Sequence, residues 1–125
     1  AEAAPSRPRS HDLIYKEDLL LYIDTYLGSD RFAGEEAVWE NGTPVWAMNY
    51  AGRVIGEPFS GDFLKLALLS GSREFPYRGA EMFKDGDYTY VCGAAGDFDW
   101  FEGGESIFYK SKKVYACRFH GGKII

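Results

Sequence analysis

The alternation of apolar and polar positions along the chain predicts mostly strands. From Leu19 to Leu27, Tyr22, Asp24 and Tyr26 fall on one side and Leu21, Ile23 and Thr25 on the other, the period of two that a half-buried strand requires. Glu35 to Gly52 reads as a hairpin: Glu36 to Glu40, then Asn41-Gly42, then Thr43 to Tyr50. Asn-Gly supplies the positive φ values of a two-residue type I′ turn. Such a turn predicts a register with Glu40 opposite Thr43, Val38 opposite Val45 and Glu36 opposite Ala47, leaving Trp39, Trp46, Met48 and Tyr50 on the other face. The period changes at Ser60-Gly61-Asp62, where Phe63 to Leu69 is made of helix formers, Ser60 can cap and Gly71 can stop. One helix is expected over about 60–70. Ser70 to Asp87 is rich in turn formers and reads as a loop. Tyr88 to Cys92, Asp97 to Glu102, Glu105 to Tyr109 and Val114 to His120 then form a second group of strands.

Sliding the chain against itself by 69 positions lays Phe32–Ile55 over Phe101–Ile124 without a gap. Identities fall at Phe32/Phe101, Gly34/Gly103, Glu36/Glu105, Val45/Val114, Ala47/Ala116, Gly52/Gly121 and Ile55/Ile124. Two aromatic hairpins of unrelated origin would not also align their glycines and a glutamate, so an internal duplication is expected. The architecture that follows is α+β, in the order β-β-β-α-β-β-β. Two antiparallel three-stranded meanders, about 19–55 and about 87–125, are related by a pseudo-twofold and form a curved sheet or partial roll around Phe63, Leu64, Leu66 and Ala67. Residues 1–10 hold two prolines, two arginines and little to bury, and read as a flexible tail ahead of one domain over 11–125.

At 125 residues and 46% hydrophobic content the chain can bury one core. A formal charge of -5 with scattered lysines and arginines argues against direct nucleic-acid binding. No apolar run is long enough for a membrane span or signal peptide, so the expected setting is cytoplasmic. Cys92 and Cys117 lie inside strands and read as reduced packing residues. No metal or other cofactor is expected.

Among residues able to carry chemistry, Glu36 and Glu105 stand out, because the predicted register sets each on a strand face of valine, alanine and isoleucine. Desolvation there would raise a carboxyl pKa and make an acid or an anchor for a cationic ligand. The plainer reading is a glutamate that caps backbone or pairs with an arginine, such as Glu105 with Arg118 diagonally across. Arg53 and Arg78 sit in glycine- and proline-bearing segments, from which a guanidinium can fork onto a carboxylate or phosphate, or tie a loop to backbone carbonyls. Trp39, Trp46, Tyr50 and Tyr115 are the aromatic candidates to line a pocket with them. His120 lies three positions from Cys117 on a strand, on the opposite face, so the two make no nucleophile-base pair. Asp97, Asp99 and Glu102 lack the spacing of a calcium loop and read as a solvated face.

Phe32-Ala33-Gly34-Glu35-Glu36, Pro44-Val45-Trp46-Ala47-Met48-Asn49-Tyr50-Ala51-Gly52, Phe63-Leu64-Lys65, Pro76-Tyr77-Arg78-Gly79, Gly96-Asp97-Phe98 and Phe119-His120-Gly121-Gly122 together resemble an uncharacterised bacterial domain-of-unknown-function family, number 5680. Its members stand alone or follow repressor-type helix-turn-helix domains. The resemblance implies no activity, but its regulatory company and the convergent polar groups favour a small-molecule-sensing or interaction module of a bacterial regulatory system. Two alternatives stay open. One is a small enzyme using Glu36 and Glu105 as an acid-base pair, and the other is a homodimeric scaffold pairing through an exposed sheet face.

Overall fold

The computed structural model describes residues 1–125. The strands are β1 (Glu2–Ala3), β2 (His11–Glu17), β3 (Leu20–Gly28), β4 (Arg31–Glu40), β5 (Thr43–Val54), β6 (Met82–Asp85), β7 (Tyr88–Asp97), β8 (Trp100–Tyr109) and β9 (Lys112–Lys123), with one helix, α1 (Gly61–Leu69), between β5 and β6. They form a single open antiparallel sheet in the order β1-β2-β3-β4-β5-β9-β8-β7-β6. The class is α+β, as the sequence predicts, with a larger share of strand. No helix is long and apolar enough to cross a membrane.

Three strands lie where none is expected. β6 occupies part of the turn-rich loop, and β2 and β1 precede the first expected strand. Within the first ten residues, Ala1, Ser6 and Ser10 hydrogen-bond to β2. The Ala1 ammonium donates to the Ile14 carbonyl at 3.1 Å, and the Asp12 carboxylate accepts from Ser10 at 2.6 Å, Ser6 at 2.7 Å and Thr25 at 3.1 Å. Short polar side chains thus link a segment with little to bury to the sheet. Those serine hydroxyls hold the Asp12 carboxyl down at about 2.

The turn at Asn41-Gly42 forms as predicted, with φ of 49° and 81°, and Glu40 faces Thr43. One step on, the register departs. Trp39 pairs with Pro44 and Val38 with Trp46, so Val45 is an extra, bulged residue and Glu36 pairs with Met48 rather than Ala47. The second hairpin does the same, because Phe108 pairs with Lys113, Ile107 with Tyr115 and Glu105 with Cys117. A bulge re-aims every residue beyond it. Both bulges are anchored across the sheet: the Val45 carbonyl accepts from Ile124 N–H at 3.0 Å and the Val114 carbonyl from Ile55 N–H at 2.7 Å. The tight turn alone could not reveal them, since it fixes pairing only up to the first irregularity.

Their consequence is to divide the two sheet faces differently from the sequence expectation. The inner face, against which α1 packs, carries Glu36, Trp46, Met48, Tyr50, Glu105, Tyr115 and Phe119, and the bare face carries Trp39, Ala47, Arg53, Arg118 and His120. Helix α1 starts at Ser60, whose hydroxyl accepts from Phe63 N–H at 3.1 Å. It buries Phe63 and Ala67, an i,i+4 pair, against Tyr88, Tyr90 and Phe83 of β6 and β7. Leu66, expected in the core, is 47% exposed, because one short helix with a single neighbouring surface buries only one stripe.

Candidate functional site

The chain from Ser70 to Glu81 crosses the inner face and delivers Arg78 to its centre. Tyr77 packs on Phe101, with ring centroids 4.7 Å apart, and Ala80 N–H donates to the Ser70 hydroxyl at 3.1 Å. Gly79 N–H donates to the Tyr90 hydroxyl at 3.0 Å. So pinned, Arg78 is 9% exposed, with Nε donating to Glu105 at 2.8 Å and Nη1 3.8 Å from Glu36. One guanidinium therefore spans both glutamates. Its carbon also lies 5.1 Å from the Tyr50 ring centroid, a cation–π contact.

The two glutamates are unequal. Glu105 is fully buried and accepts from Arg78, from the Tyr115 hydroxyl at 2.9 Å and from the Tyr90 hydroxyl, so both of its oxygens are engaged by donors. Glu36 keeps 20% of its side chain exposed and accepts from the Tyr22 hydroxyl at 2.6 Å. Beside it, half-buried Asp24 accepts from the Tyr50 hydroxyl at 2.5 Å. Gly34 makes this possible, since a Cβ there would lie 2.6 Å from the Tyr50 hydroxyl and 2.5 Å from Tyr26 Cβ. The difference between the halves follows from coverage. Helix α1 and the Ser70–Glu81 strap lie over the β7–β9 side, whereas the β3–β4 side has no second layer.

The electrostatics follow the burial. Burial pushes the Glu36 and Asp24 carboxyls above their usual range, against the pull of their tyrosine hydrogen bonds and of Arg78. Burial alone would lower Arg78, but the charge and hydrogen bond of Glu105 outweigh it and hold the guanidinium protonated. Burial also pushes the Cys92 thiol up to about 11 and Cys117 to about 12, which leaves them protonated and unreactive at neutral pH.

Residues 24–124 match the model of the family described as Domain of unknown function (DUF5680). The chain belongs to that family. No curated protein and no solved structure matches this DUF5680 chain.

Of the residues singled out in sequence, Glu36, Glu105, Arg78, Tyr50 and Tyr115 converge in this DUF5680 domain, with Trp46 further along the same face and stacked on Phe98 at 4.9 Å. Arg53 and Trp39 do not, because both point to the bare face. The arginine expected beside Glu105, Arg118, is likewise on the bare face, and Arg78 takes its place from a loop far away in sequence. Asp97 caps its own turn, accepting from Asp99 N–H at 3.0 Å and Trp100 N–H at 3.2 Å. Asp24 and Tyr90 complete the cluster and were not singled out. The alternation Tyr22-Asp24-Tyr26 held the signal for Asp24, a carboxylate flanked by two half-buried aromatics.

Proposed function

We propose that this domain is a small-molecule-sensing or interaction module of a bacterial regulatory system, and that its ligand is an organic cation seated at Asp24 and Glu36. The observation that carries this reading is the mismatch of charge and cover on the inner face. Glu36 and Glu105 contact a single guanidinium, Asp24 lies within its field, and the two carboxylates on the uncovered side are kept half-buried with raised pKa values. A carboxylate retained where its ionisation is disfavoured opposes stability, and such departures cluster at binding sites. A ligand ammonium or guanidinium would supply the missing charge, and the hydroxyls and ring faces of Tyr22 and Tyr50 would flank it.

The reading includes a duplicated scaffold. Strands β4 and β8, and β5 and β9, begin and end 69 positions apart, with a bulged valine at the same offset in each hairpin. On this view one unit became two, the covered copy serving as framework with Tyr115 and Phe119, and the uncovered copy as site with Trp46 and Tyr50. An acid-base enzyme is less well supported, because Glu105 is fully buried and already accepts from three donors.

A thermal-shift screen against amines, guanidines and a wider metabolite panel tests the proposal. A ligand at a hundred times its dissociation constant stabilises by about 2.7 kcal/mol, a rise of roughly 8 °C or more for a domain of this size. The expected hit is a cation whose effect is abolished by Glu36→Gln. Stabilisation only by anions, or by cations equally in wild type and E36Q, would overturn the reading.

A further inference from the structure

We infer a second binding site, on the bare face of the sheet, built from Arg31, Arg53 and Arg118 and suited to a compact multivalent oxyanion. Arg31 and Arg53 are direct partners across β4 and β5, and Arg118 stands on β9 opposite Ala51, diagonal to Arg53. Direct cross-strand partners hold their Cβ atoms about 5 Å apart and diagonal ones about 7 to 8 Å. Three guanidinium stems thus rise from one small area. They border a shallow depression of about 260 Å³ whose floor is Ala51, Gly52 and Ala116.

No carboxylate lies within ion-pair distance of these three guanidiniums. Both ion pairs in the protein are made by Arg78, so the three arginines have no carboxylate partner even though acidic residues outnumber basic ones 19 to 14. Like charges directly opposite in an antiparallel pair are destabilising, and the small floor residues leave the space between them unfilled. An oxyanion fits both facts, since guanidinium forks grip phosphate and carboxylate oxygens bidentately. The next row along the sheet carries Glu35 and Glu102, in register with Asn49 and His120. These carboxylates bound the positive area and restrict the site to a compact anion, not a phosphate chain.

Thermal shift and amide NMR of the whole chain, with inorganic pyrophosphate and with citrate as separate arms against sodium chloride of matched ionic strength, test the site. Pyrophosphate or citrate should raise Tm saturably and shift the amides of Ala51, Gly52 and Ala116. The arm that binds tighter identifies phosphoryl or carboxylate recognition. Arg53→Gln and Arg118→Gln should each weaken that binding at least tenfold, and R53Q without anion should melt no lower than wild type, because it relieves a like-charge pair. An unsaturable shift equal to that in sodium chloride, or binding that both variants retain, would overturn the inference.

Discussion

Replacing Arg78 by methionine removes the guanidinium while retaining an apolar stem of similar length. Glu105, with no exposed side-chain surface, would then keep only its tyrosine donors and lose its ion partner. Removing one member of a buried pair costs about 3 to 5 kcal/mol, because the other charge is left uncompensated. Against a total stability of roughly 5 to 15 kcal/mol, this is a large fraction, and it corresponds to a fall in Tm of roughly 10 to 20 °C. Urea denaturation followed by tryptophan fluorescence measures it. The pairing also predicts non-additivity: Glu105→Gln introduced into R78M should recover roughly 1 to 3 kcal/mol relative to the sum of the single changes, as expected for groups in direct contact. An R78M protein within 1 kcal/mol of wild type, or full additivity with E105Q, would refute the assignment of Arg78 as the centre of the inner face.

Glu36→Gln should stabilise the ligand-free protein at pH 7. The sign follows from the raised carboxyl pKa: the folded state holds its proton more readily than the unfolded chain, so ionised Glu36 opposes folding at neutral pH and ceases to do so as pH falls through its folded pKa. The advantage of E36Q in Tm should therefore shrink steadily on acidification, and an advantage that grows would contradict the cause. Gly34→Ala should cost about 1 to 3 kcal/mol, since the added carbon would lie 2.5 to 2.7 Å from Tyr26, the Tyr50 hydroxyl and the Thr25 carbonyl; urea midpoints measure it. Cys92 and Cys117 should resist a thiol reagent at pH 8 in the native state and react fully in denaturant, because burial holds both thiols protonated. Asp12→Asn should increase proteolytic cleavage within the first ten residues, where the carboxylate gathers three hydroxyl donors.

Much of the strand content was legible from alternation, and α1 from the change of period with Ser60 as cap and Gly71 as stop. What escaped had physical causes. The bulges at Val45 and Val114 come from contacts between the two hairpins, through Ile124 and Ile55, which a reading of either hairpin alone does not contain. They decide which residues of β5 and β9 share a face with Glu36 and Glu105, so the two glutamates could be identified as unusual while their neighbours were assigned to the wrong side. Arg78 was legible as a loop arginine beside proline and glycine, but its target depends on the path of the strap over the sheet. Strand β2 escaped because His11 to Glu17 is largely exposed and carries little apolar periodicity. Arg53 was recognised as a residue able to fork onto an anion, and its cross-strand partner Arg31 became visible only with the register.

Amide and indole NMR of the whole chain, titrated with the strongest cation from the panel, reports whether the uncovered acidic corner binds. Saturable shifts confined to Tyr22, Asp24, Glu36, Tyr50 and the Trp46 indole, and lost in E36Q, are expected. Shifts confined to the bare face, or retained unchanged in E36Q, would place the cation elsewhere than at Asp24 and Glu36.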